Sequence, residues 1–229
     1  MKATKVNVEK NLKRVQRLFK NVDFKALGTA MQVLAKAASE THGHNCLSIS
    51  LLAQCFLERR GIKSRLMVGE SAWRVDGKSS GGVISHTGFR PGISTSVVPE
   101  KLGSKALHFH AWLALNEYWS LDLTTYQFQE KMDLLNQDGQ NTPVTWTPEF
   151  LVFSKSDISS FEAVQQSFSS KVINYTPLPA LYEEIITYTG RLEVCEQDVS
   201  TLTFIYDAVL KGELETVIGP NGTVLLDPQ

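Results

Sequence analysis

Cysteine is scarce in this 229-residue chain: Cys46, Cys55 and Cys195 are odd in number and irregularly spaced. That excludes a disulfide framework of the kind that staples small secreted domains. No apolar run approaches the roughly 20 residues of a membrane-spanning helix. The basic stretch from Lys2 to Lys20 is followed by no hydrophobic segment, so it is read as a solvated helix face and not as a secretory signal. Charge of one sign is also missing. Lys plus Arg number 23 against 24 Asp plus Glu, a net charge of -1, which leaves no field to steer a polyanion. Repeats and low-complexity tracts are absent. The expectation is a cytoplasmic protein without a membrane or nucleic-acid partner, in which the Asn-x-Thr triplets at Asn174 and Asn221 carry no sugar.

What is present is an ordinary globular composition, 42% hydrophobic and 21% charged. Apolar residues at Val8, Leu12, Val15 and Leu18 recur at helical spacing. Asp23 is placed to cap a second helix through Phe24, Leu27, Met31 and Leu34 to about Ala38. Asn45 is placed to cap a third, from Cys46 to Arg60, which Gly61 ends. Strands follow. Ile62–Glu70 reads as one, and Ala106–Leu115 with Tyr118–Thr124 as a hairpin turning at Asn116-Glu117.

Between Asp76 and Ser104 the chain holds six glycines, which predicts a long lid or binding loop. Phe150–Phe153 reads as a strand, and Asp157–Phe168, Leu181–Tyr188 and Val199–Leu210 as helices, with Tyr175–Pro179 a proline-marked joint. Helices first and sheet after predict an α+β fold. The expected organisation is a catalytic core over residues 1–153, including the N-terminal helices, and a mainly helical C-terminal extension over 154–229.

Cys46 is placed in the first turn of a helix, where free N–H groups and the macrodipole lower a thiol's pKa. Taken alone, a cysteine is more simply a small buried hydrophobe. Cys55, nine residues on and on the opposite side of the helix, is expected to be such a core thiol. Cys195 sits between Glu193 and Glu196 and lacks an electropositive setting. His110 follows on a strand and Asp122 on the next. Pairing across Asn116-Glu117 sets Ala111 opposite Asp122, so His110 and Asp122 are near neighbours. A helix-tip thiol, a base on one strand and a carboxylate on its neighbour make a candidate Cys46, His110, Asp122 triad.

The segments Asn45-Cys46-Leu47 through Gly61 to Gly69, His110-Ala111-Trp112-Leu113 and Tyr118-Trp119-Ser120-Leu121-Asp122 resemble the nucleophile helix, histidine strand and aspartate strand of transglutaminase-like proteins. The Cys46 segment is also partly similar to the leader peptidases that mature lasso peptides, although 183 residues follow Cys46 here, where that family's nucleophile comes late in the chain. The resemblance covers roughly Asn45–Tyr126. It implies a papain-like core and acyl transfer from a peptide or protein amide through a thioester on Cys46, with no metal or other cofactor. Hydrolysis is the expected outcome and transamidation or deamidation the alternative. Glu40 stands where a papain-like spacing calls for glutamine, leaving the backbone N–H of Cys46 as the oxyanion donor.

Two other classes compete. His42, His44, Cys46, His108 and His110 offer a zinc-type donor set, although that use leaves Asp122 without a role. A non-catalytic binding module on the same fold is the other. Trp73, Trp112 and Trp119 are candidate cleft walls, with the core as their simpler place, and His86 is expected to be exposed.

Overall fold

Asn7 opens the first helix, α1 (Val8–Leu18), by accepting the Lys10 amide on its side chain at 3.0 Å. The structure is a computed structural model and describes residues 6–38, 46–75, 82–87, 109–136, 144–166, 171–189 and 194–225. Asp23 caps α2 (Phe24–Ala38) through the Ala26 amide at 2.9 Å, as its residue type predicts. The third helix, α3 (Cys46–Arg59), ends where Gly61 takes a φ of +76°. There the Ile62 amide turns back to the Leu57 carbonyl at 2.9 Å, a left-handed stop that glycine adopts without strain. Asn45, its expected cap, lies outside the described residues.

Six strands, β1 (Arg65–Arg74), β2 (Val83–His86), β3 (His110–Ala114), β4 (Trp119–Asp122), β5 (Leu151–Ser154) and β6 (Ile173–Pro177), make one antiparallel sheet among the described residues. The order is β2-β1-β3-β4-β5, with β6 on the free side of β1. The fold is α+β. β1 starts later than its apolar run predicts, because Ile62 is spent on closing α3, and it extends to Arg74 because Ser71–Arg74 find partners on both edges.

The pairing along β1 decides what shares a face. Gly69 stands opposite His110 on one edge and Pro177 on the other, while Ser71 stands opposite His86 and Tyr175. β3 and β2 therefore succeed one another along the same edge. Partners of alternate residues project to one side of a sheet, so His110, His86, Tyr175 and Trp73 converge. At Gly69 the strands come so close that a Cβ would lie 2.0 Å from the Thr176 carbonyl oxygen.

Three expectations are corrected here. The hairpin pairs Leu113 with Leu121 and Ala114 with Ser120, one residue off the predicted register. Asn116 widens the turn to include Tyr118, its side chain accepting the amides of Tyr118 at 2.8 Å and Trp119 at 2.7 Å. The Gly-rich segment is not one loop, since residues 82–87 contain β2; residues 76–81 and 88–108 lie outside the described residues. The predicted joint at Tyr175–Pro179 is the end of β6 and the start of α6 (Pro179–Thr189). Proline is tolerated at both places, a strand's last residue and a helix's first, because neither needs its N–H.

The remaining helices among the described residues are α4 (Phe128–Asn136), which follows a 3-10 turn at Thr125–Gln127, α5 (Phe161–Gln165) and α7 (Glu196–Lys211). A hairpin of β7 (Thr216–Gly219) and β8 (Gly222–Leu225) closes the described chain. Residues after Ser154 thus serve both layers: β6 lies in the sheet, and α7 packs on α2 and α3. Among the described residues no helix is long and apolar enough to cross a membrane.

Candidate active site

His110 is the first residue of β3 and Asp122 the last of β4, both fully buried. Their juxtaposition depends on the observed register. Continued outward, it sets Asp122 beside Trp112, two residues from His110 and on the same face, whereas the predicted pairing with Ala111 would have turned the carboxylate to the other side. His110 Nε2 meets Asp122 Oδ2 at 2.8 Å.

That carboxylate is saturated. Oδ2 also accepts the Tyr175 hydroxyl at 2.6 Å, and Oδ1 accepts the Thr124 amide at 2.9 Å and its hydroxyl at 2.7 Å. The Tyr175 oxygen in turn accepts the Trp73 indole N–H at 2.8 Å. Burial would raise the Asp122 pKa, but the His110 charge and these hydrogen bonds hold it down at about 2. The same pairing, acting against burial, lifts His110 to about 9.

Cys46 begins α3, which packs on β3 and β1, and its half-buried thiol reaches the Phe109 carbonyl at 3.9 Å. Burial alone would push the thiol up. The adjacent His110, as hydrogen-bond partner and charge, together with the Lys131 charge and the Ala111 amide, brings it below its ordinary value. The Cys46 thiol and the His110 ring therefore stand close enough to shift each other's pKa, while the buried Nδ1 has no partner in hydrogen-bond geometry among the described residues. The two shifts run toward a thiolate and an imidazolium, with Asp122 held against the far nitrogen of the ring.

The ring around His110 is aromatic. Trp73 meets it edge-on at 4.8 Å, Trp112 stacks at 6.1 Å and His86 stacks at 5.5 Å. Trp73 and Trp112 are thus core residues that wall the histidine, while Trp119 is buried in the apolar layer across the sheet. His86, expected to be exposed, is half-buried against His110, because β2 continues the edge that β3 begins. Cys55 is half-buried and not in the core, its thiol pKa raised by partial burial and by Glu58. Cys195 is exposed at the start of α7.

Sequence reasoning missed Thr124, Tyr175, His86 and Lys131. Thr124, two residues past Asp122, follows a common local pattern and was within reach. The other three arrive through pairings of β2, β6 and α4 that no local signal announces. Of the zinc-type donors, His42, His44 and His108 lie outside the described residues; among those described, no three His, Cys, Asp or Glu side chains cluster to hold a metal.

No protein-family model matches the chain, and no curated protein matches it. It is similar to a solved structure described as the crystal structure of genomics APC5867, with a TM-score of 0.51, 13% identity and 93% of each chain covered. At that identity the likeness is one of fold alone, and it extends over nearly all of both chains.

Proposed function

We propose that this chain is a thiol-dependent acyl-transfer enzyme with a papain- and transglutaminase-like core, a peptidase or amidase acting on a peptide or protein amide. The observation that carries this reading is the buried imidazole held by Asp122 on Nε2, with Nδ1 unpartnered among the described residues and beside a helix-tip thiol whose pKa is lowered. Most buried polar atoms of a folded protein are hydrogen-bonded, so an open ring nitrogen beside a thiol favours a chemical role.

The Cys46 sulfur attacks the amide carbonyl; the C–S bond forms as the π pair moves to oxygen. The backbone N–H of Cys46, in the first turn of α3, is the donor this reading assigns to that oxyanion. As the oxyanion collapses, the C–N bond breaks and His110 Nδ1 gives its proton to the departing amine, which leaves a thioester and a neutral imidazole. Water then adds while Nδ1 takes its proton, and the C–S bond breaks to return the thiolate and imidazolium. An amine in place of water gives transamidation by the same steps. No step calls for a metal or an organic cofactor.

Cys46→Ala is expected to abolish turnover while the melting temperature holds, since a half-buried helix-tip thiol contributes little packing. Incubation of the wild type with a peptide pool, acid quenching and mass spectrometry should find an acyl group on Cys46. Undiminished turnover by Cys46→Ala overturns the assignment.

A further inference from the structure

Lys131 lies on α4 with only 7% of its surface exposed. Its Nζ is 3.4 Å from His86 Nε2 and 5.9 Å from the centre of the Trp73 ring. Among the described residues no carboxylate pairs with it, and its neighbour Glu130 is solvent-exposed. A buried ammonium without an anion is strongly disfavoured, and one imidazole nitrogen with one aromatic face is weak compensation.

The missing anion is found when the charges of the neighbouring site are counted. In the ion-paired state Cys46 is -1, His110 +1 and Asp122 -1, a buried net charge of -1 that Lys131 brings to zero. His86 links the two groups: its Nε2 lies 3.4 Å from the Lys131 ammonium, and its ring stacks on His110 at 5.5 Å and 29°. Trp73 touches all three, with its ring 5.5 Å from His86 and 4.8 Å from His110.

The balance persists through the reaction. In the tetrahedral intermediate the negative charge has moved from sulfur to oxygen while His110 remains protonated. In the thioester the sulfur is neutral and His110 has lost its proton. In every state Lys131 cancels the charge left over.

We propose that Lys131, held by His86, is the resident counter-cation of this site, neutralising the negative charge as it passes from the Cys46 sulfur to the substrate's carbonyl oxygen. The inference rests on the acyl-transfer reading of Cys46, His110 and Asp122. Lys131 is a positioning residue that acts through the field it sets across the site. The charges that act on it are Cys46 from α3, Asp122 from β4 and Glu130 on its own helix, with the His86 ring from β2 between it and His110 from β3. Burial lowers the Lys131 pKa, and the charges of Cys46, Asp122 and Glu130 oppose that shift.

The test needs no knowledge of the substrate. Alkylation of Cys46 is followed against pH with neutral iodoacetamide and anionic iodoacetate in wild type, Lys131→Met and Lys131→Arg, with adducts mapped by mass spectrometry. In Lys131→Met the pH midpoint should rise by about one unit, slowing iodoacetamide about tenfold below it. The iodoacetate-to-iodoacetamide rate ratio should fall as well. Lys131→Arg should restore both. The melting temperature of Lys131→Met should fall, because the site's negative charge is left without its cation. If that variant does not fold, Lys131→Gln is read the same way. A depressed wild-type midpoint that stays put, with an unchanged ratio, in the neutral variant overturns the role of Lys131 alone. An ordinary thiol profile in the wild type overturns the acyl-transfer reading together with it.

Discussion

The two faces of the sheet are both buried, yet they are built from different side chains. Toward α2, α3 and α7 the sheet presents Leu66, Val68, Ala111, Leu113, Leu121 and Val152, met by Leu27, Met31, Ala53 and Leu57. Toward α4 it presents Trp73, Trp112, Phe153 and Tyr175, met by Phe128 and Met132. The first face holds the sheet and helices together mainly by apolar burial. The second buries charged groups, and its aromatics are chosen for their polar edges: the Trp73 N–H, passed through the Tyr175 hydroxyl, ends on the Asp122 carboxylate. One face contributes stability that depends on volume, the other a field that depends on hydrogen bonds.

Removing the charge at the centre of the polar face should have the largest effect. Asp122→Asn keeps the shape but loses the group that raises His110 to about 9, so turnover should fall on the order of 100-fold or more. Stability should respond to pH in a defined window. His110, raised above 6.5, contributes stability that is complete below 6.5 and lost as pH rises through about 9. Asp122, lowered from 3.8, contributes stability that is present above 3.8 and lost as pH falls through about 2. The melting-temperature gap between wild type and Asp122→Asn should therefore be widest between pH 3.8 and 6.5 and close toward both extremes. A gap independent of pH would mean that the pair does not titrate as a unit.

The apolar face should behave in the opposite way. Leu57 is fully buried on α3, one helix with Cys46. Leu57→Ala should cost about 2–5 kcal/mol in urea denaturation through lost burial and the cavity left behind. The pH midpoint of Cys46 alkylation in the folded protein should not move. If it shifts, the two faces are coupled through α3 and the division drawn here fails.

The same division governs what could be read from the chain. Helix α3 with its glycine stop, the hairpin and the order Cys46, His110, Asp122 are local patterns, visible because caps, periodicity and turn residues act over a few positions. Which face Asp122 occupies was not visible, because a single extra turn residue, Tyr118, reverses it. Tyr175 sits in a stretch whose prolines suggested a joint, and His86 in a run of glycines that suggested a loop. Both owe their places to β1, whose ten residues offer two edges to strands far away in sequence. Long-range pairing leaves little trace in composition.

The smallest predicted effect is the sharpest probe of how the polar face works. Tyr175→Phe removes only an oxygen; the ring keeps its stack on Phe153, with centroids 4.1 Å apart and 20° between planes. What is lost is the donor to Asp122 and the acceptor for Trp73, and the orphaned indole N–H should cost about 1–3 kcal/mol of stability. With one of its four donors gone, Asp122 should titrate nearer its ordinary value, so the acid limb of the activity profile moves upward in pH while the neutral rate falls by about tenfold. Because the hydroxyl acts through the carboxylate, adding Tyr175→Phe to Asp122→Asn should leave the rate where Asp122→Asn alone puts it. Two effects that multiply in the double variant would instead assign Tyr175 a contact of its own with the reacting groups.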